Sequence, residues 1–99
     1  MAYRVVYTPD AENQIAAILE FVAEETSPET AAGFVNGLLR LCDGLASLPF
    51  RGRRIGRPER GVRMLVYRGR TSIVYAIEGD MVLILGVFYA GRNWRPAFD

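Results

Sequence analysis

The side chains able to do chemistry in this 99-residue chain are arginines and aromatics, because histidine and lysine are absent and Cys42 is the only cysteine. Without an imidazole there is no His-based triad, no His metal site and no imidazole general base. A single cysteine excludes an internal disulfide framework, and its position on an apolar helical face reads as a small core residue, not a reactive thiol. The carboxylates of the first predicted helix are spread along a surface, while Glu78 and Asp80 flank a hairpin glycine. Neither group reads as a paired acid–base centre or a metal site. No metal and no cofactor is expected.

The arginines are unevenly placed. Residues 1–50 hold two arginines against seven carboxylates, a net of −5, whereas residues 51–99 hold ten against four, a net of +6. All twelve basic residues are arginine, the better residue for planar, bidentate pairing with carboxylate or phosphate. A GC-rich genome gives the same bias, so the positions carry more information than the identity. Arg51, Arg53, Arg54 and Arg57 fall in a Gly/Pro-punctuated loop spanning 49–58, either as a solvated loop or as an attractor for an acidic partner. Direct nucleic-acid binding reads as the weaker option, since it needs a continuous basic face that acidic helices would dilute. Near the C-terminus, residues 88–96 interleave Arg92 and Arg95 with Phe88, Tyr89 and Trp94. That mixture suits a protein-interface hot spot and can also stack bases; the plainer alternative is a tail folding back with Trp94 on an apolar patch.

The elements that must position these groups follow from local pattern. A composition of 51% hydrophobic residues fits one domain over residues 1–99, and no apolar run approaches the roughly 20 residues of a spanning helix. With no apolar signal core behind the first residues, a cytoplasmic location without membrane association is expected. Residues 3–7 form a β-branched and aromatic run ending at Thr8-Pro9, which predicts a strand entering a helix of about four turns with Thr8 as N-cap. Ala11, Ile15, Ile18, Leu19 and Val22 mark its apolar face, leaving Glu12, Gln14, Glu20 and Glu24 outward. Ser27-Pro28-Glu29 repeats the start signal, and Ala31, Phe34, Val35, Leu38, Leu41, Cys42, Leu45 and Leu48 continue the helical period to Pro49. Strands are predicted over 62–67, 72–77 and 81–88, separated by Gly-containing hairpin turns. The last strand lacks polar alternation and should be central, covered on both sides or nearly so. The order β-α-α-β-β-β predicts an α+β fold: a helical hairpin packed on a mainly antiparallel sheet.

The pattern of Tyr7-Thr8-Pro9 with Ala11, Ala31 and Phe34, Leu48-Pro49 before Gly52-Arg53, Gly61-Val62-Arg63, Ile73-Val74-Tyr75, and Val87 followed by Arg92 resembles the RelE/ParE superfamily of type II toxins, and more closely its ParE branch. The resemblance spans nearly the whole chain. It implies a RelE/ParE-like fold and a toxin neutralised by a co-encoded, ParD-like antitoxin in a hetero-oligomer, and it implies one of two targets. RelE-like members cut messenger RNA on the ribosome, whereas ParE-like members poison DNA gyrase without a known catalytic centre.

RNA cleavage needs a group to activate the 2′-hydroxyl, a donor for the leaving oxygen and cations for the phosphorane charge. At the positions that are commonly arginine in RelE-like members this chain has Ser72 and Ala90. Arg63, Arg92 and Tyr89 are the groups left for an endonuclease. Tyr89 stands near where many relatives carry histidine, either as a contact or proton-transfer group or as an aromatic closing the sheet edge. The expectation is therefore a gyrase poison that contacts its target through Tyr89, Arg92, Trp94 and Arg95, with the antitoxin meeting Ile18, Val22, Phe34, Leu38, Arg53 and Arg54. A ribosome-dependent endonuclease, or a member that has lost toxicity but still binds antitoxin, are the alternatives.

Overall fold

In the computed structural model, which describes residues 2–89, the chain enters through β1 (Arg4–Tyr7) and turns at Thr8 into α1 (Pro9–Glu25). Thr8 is the N-cap: its backbone is extended and its Oγ1 accepts from the Ala11 N–H at 3.2 Å, with Pro9 opening the helix. The same hydroxyl donates to the Ile84 carbonyl at 3.0 Å, so the helix start is tied to the strand beneath it. Ser27 repeats the arrangement for α2 (Pro28–Asp43), its Oγ accepting from the Thr30 N–H at 3.1 Å. The two helices pack side by side as the predicted hairpin, α1 being 17 residues long and thus longer than expected.

Beyond α2 the chain makes a 3-10 turn (Gly44–Ala46) and then a two-residue strand, β2 (Arg53–Arg54), that the sequence pattern had assigned to loop. β3 (Val62–Tyr67), β4 (Thr71–Glu78) and β5 (Met81–Phe88) follow within a residue of expectation. The sheet order is β1-β5-β4-β3-β2, with β1 parallel to β5 and every other pair antiparallel. This is the α+β arrangement expected for the superfamily. Among the described residues no helix is long and apolar enough to cross a membrane.

The main core lies between the helical hairpin and one sheet face, where Ile18, Val22 and Leu38 meet Ile73, Tyr75, Val82 and Ile84. A smaller cluster of Ile55, Val62, Met64 and Val74 occupies the other face, with Leu85 and Phe88 packed against it. β5 is interior to the sheet, but Met81, Leu83 and Leu85 are only partly buried, so its second face is covered in part.

Three expectations are corrected, the first being Leu19, which is 40% exposed and so leaves the apolar stripe of α1. Gln14 is not outward: its Oε1 accepts from the Val87 N–H at 2.7 Å, next to the register shift where β4 pairs Val74 with Gly86 but Tyr75 with Ile84. The extra residue there interrupts the ladder, and α1 supplies the acceptor that the strand lacks. Leu48 does not extend the apolar helical stripe, because α2 ends at Asp43 and Leu48 stands 61% exposed.

Candidate functional site

Two groups of arginine and aromatic side chains form on this scaffold, separated by the four residue steps of β3 from Arg63 to Tyr67, about 13 Å at strand rise.

The first surrounds the loop 47–54. Pro49, Gly52 and Ile55 are buried while Leu48, Phe50, Arg51, Arg53 and Arg54 are exposed, so the segment is fastened at intervals and presents what lies between. Tyr75, fully buried on β4, does the fastening: its hydroxyl donates to the Pro49 carbonyl and accepts from the Gly52 N–H, both at 2.8 Å. Burial pushes this phenol above its ordinary range, an effect opposed by the Gly52 N–H bond and by the nearby Arg63 and Arg51 charges. Position 52 must be glycine, since a Cβ there would lie 2.7 Å from the Tyr75 hydroxyl and 2.9 Å from the Met64 carbonyl oxygen. Arg63 completes the anchor. Its Nη1 donates to the Gly52 carbonyl at 2.7 Å and to the Phe50 carbonyl at 3.3 Å, and its guanidinium lies over the Phe50 ring, 5.1 Å from the centroid. Tyr3 meets the same ring edge-on at 6.4 Å.

The second group joins α1, α2 and the β3–β4 turn. Tyr89 makes edge contacts with Phe21 and Phe34, both at 5.7 Å between centroids, and Phe34 makes another with Tyr67 at 5.1 Å. Arg68 spreads over the Phe34 and Tyr67 rings at 5.7 and 5.4 Å, from a backbone φ of 52° that non-glycine residues seldom adopt. The Tyr67 hydroxyl donates to the Phe34 carbonyl at 2.8 Å, and a Cβ on Gly37 would overlap that hydroxyl. Tyr89 thus packs as an aromatic at the end of the sheet, held between the two helices.

Among the predicted partner residues, Ile18, Val22 and Leu38 are at most 6% exposed and face the sheet. Their stripe is consumed by the protein's own core, so these side chains are not offered to a partner; the large apolar side chains that α1 does present are Leu19 and Phe21, 40% and 50% exposed. Phe34 is half-buried beneath Arg68, and Arg53 and Arg54 are exposed on the edge strand β2. Arg92, Trp94 and Arg95, and with them Ala90, lie outside the described residues. Sequence reasoning missed Leu48 and Phe50 as surface residues and Tyr75 as their support. The one available signal was their alternation with Pro49 and Gly52.

Cys42 is fully buried, and burial pushes its thiol up to about 12, the Tyr7 hydroxyl pulling the other way and Asp43 adding to the rise. A thiol so placed is not a nucleophile near neutral pH. Tyr7 is raised as well, first by burial and then by the charges of its neighbours Cys42 and Asp43, and its hydroxyl donates to Asp43 Oδ1 at 2.9 Å. These three join β1 to the end of α2. Among the described residues no three His, Cys, Asp or Glu side chains converge in a way that could hold a metal ion.

The fold is that of solved toxin–antitoxin proteins. A chain from the chromosomal ParDE toxin–antitoxin system of P. aeruginosa superposes with a TM-score of 0.80 at 23% identity, covering 90% of this chain and 97% of the other. A chain from the toxin–antitoxin complex RelBE2 of Mycobacterium tuberculosis superposes at 0.61 with 22% identity, covering 90% and 99%. No curated protein sequence gives a significant match. The family model for the ParE toxin of the type II parDE system matches residues 5–94, nearly the full length with both side-chain groups inside it except Tyr3, and the chain belongs to that ParE toxin family.

Proposed function

We propose that the protein is a cytoplasmic toxin that poisons DNA gyrase by contact and is held inactive by a co-encoded, ParD-like antitoxin. The observation that carries the contact mechanism is the state of Arg63, the described arginine that the endonuclease alternative needs. Its Nη1 is committed to two loop carbonyls and its guanidinium to the Phe50 ring. A guanidinium so engaged works as a structural clamp, and moving it to meet a phosphorane would break the Nη1 bonds that hold the loop. Tyr89, the described group available for proton transfer, is packed between Phe21 and Phe34. With no histidine or lysine elsewhere in the chain, this supports action by binding. Tyr89 is then one end of the gyrase-contacting segment, which continues through Arg92, Trp94 and Arg95.

The test is a supercoiling assay with purified gyrase and the purified toxin. Inhibition with accumulation of DNA cleavage complexes is expected, and Trp94→Ala should weaken it at least about tenfold, as for an aromatic interface anchor. No inhibition and unchanged cleavage-complex levels would overturn the gyrase assignment. Codon-positioned cuts in translating extracts, abolished by replacing Arg63 and Arg92, would put the ribosome-dependent endonuclease in its place.

A further inference from the structure

Leu48 and Phe50 are the most exposed large apolar side chains among the described residues, at 61% and 60%, and they stand on the loop most heavily fastened from below. Here Pro49 and Gly52 are tied to the buried Tyr75 hydroxyl, and Arg63 holds the Phe50 and Gly52 carbonyls, so the outward direction of both side chains is fixed. A surface ordered in advance loses little conformational entropy on binding. Ser47, Leu48, Pro49, Phe50 and Arg51 line a shallow concavity. Beside it Arg51, Arg53 and Arg54 are exposed, and none has a carboxylate within ion-pairing range among the described residues.

We propose that this loop receives an acidic segment of the antitoxin, with an apolar side chain of that segment seated against Leu48 and Phe50 and its carboxylates on Arg51, Arg53 and Arg54. The proposal rests on the toxin–antitoxin reading above and assigns that reading a site. Charge complementarity selects the occupant: the exposed arginines, which meet no carboxylate among the described residues, call for carboxylates, and the aliphatic Leu48 beside Phe50 calls for an apolar side chain. A single-stranded nucleic acid fits less well. Its bases need flat aromatic platforms, whereas one face of the Phe50 ring already carries the Arg63 guanidinium and the neighbouring residue is aliphatic.

The experiment is calorimetric titration of the purified toxin with the purified protein encoded by the adjacent reading frame, at low and high salt. Wild type is compared with Phe50→Ala, Leu48→Ala and the double charge reversal Arg51→Glu/Arg53→Glu, each checked for folding by circular dichroism. Phe50→Ala should weaken binding at least about 30-fold, the size of an interface hot spot. The charge reversal should weaken it about tenfold or more at low salt and much less at high salt, because screening removes what the arginines contribute. Wild type that binds while the folded variants bind equally well overturns the loop assignment alone. Wild type that binds no co-encoded protein removes the toxin–antitoxin reading together with it. Two further results would also overturn it: a free toxin that is dimeric in wild type and monomeric in Phe50→Ala, or binding of a single-stranded RNA oligonucleotide that the same substitutions abolish.

Discussion

The two arginine–aromatic groups on β3 are built from the same residue types and behave in opposite ways. Around the loop, Arg63 spends its Nη1 on two backbone carbonyls and Tyr75 its hydroxyl on two more backbone groups, with the result that Phe50 and Leu48 are held outward. At the other end of the strand, Arg68 spends its flat face on Phe34 and Tyr67, and the rings of Phe21, Phe34, Tyr67 and Tyr89 pack on one another. One group uses directional hydrogen bonds to hold apolar side chains outward; the other packs ring on ring, covering Tyr67 and part of Phe34 while Phe21 stays half exposed at its rim. The difference lies in what the polar side chains meet. Under the loop they meet its own backbone groups, which must be satisfied, and at the turn the guanidinium meets the faces of rings.

Tyr75→Phe should break the loop side of this comparison most severely. It leaves the buried Gly52 N–H and Pro49 carbonyl without their partner, and about 3 kcal/mol of stability should be lost in urea unfolding. The same residue gives the loop an alkaline limit. Because burial raises the phenol above its ordinary value of 10.0, the stability it contributes is present below that pH and is lost as pH rises through the higher folded value. Urea midpoints for wild type should therefore fall between pH 9 and 11.5, partly because Cys42, at about 12, and Tyr7, also raised by burial, add to the loss, and Tyr75→Phe should show a smaller fall. Arg63→Met follows, at about 2 kcal/mol, since it removes a charged donor from two carbonyls. On the stacked side Gly37→Ala should cost about 1–3 kcal/mol by driving the Tyr67 hydroxyl off the Phe34 carbonyl, read as a lowered melting temperature. Arg68→Gly should change stability by no more than about 0.5 kcal/mol, because relief of its left-handed backbone offsets the lost ring contacts. An Arg68→Gly loss as large as that of Arg63→Met would erase the distinction between clamp and cover.

Much of this was legible in the chain. Thr8-Pro9 and Ser27-Pro28 mark both helix starts because an N-cap hydroxyl followed by proline is a local device needing no distant partner. The three long strands and their turns were legible for the same reason, and so was the interior position of the unbroken apolar strand 81–88. Leu48 was misassigned because helical periodicity says which residues share a face but not where the helix stops, and here it stops at Asp43. Gln14 was misassigned because the acceptor it supplies answers a register shift in a strand 73 residues away.

The candidate site divides along the same line. Sequence by itself determined the available chemistry: arginine and aromatic groups, no imidazole, and charge split between the halves of the chain. It also placed apolar residues on helix faces, but not which of them the protein keeps for itself; only the packed sheet decided that Ile18, Val22 and Leu38 are interior while Phe21 is exposed. Likewise, nothing local to Tyr75 or Arg63 says that their polar ends will hold a loop 23 and 11 residues earlier in the chain. Burial and long-range hydrogen bonds are properties of the closed structure, and they turned a loop carrying Leu48 and Phe50 into a fixed surface.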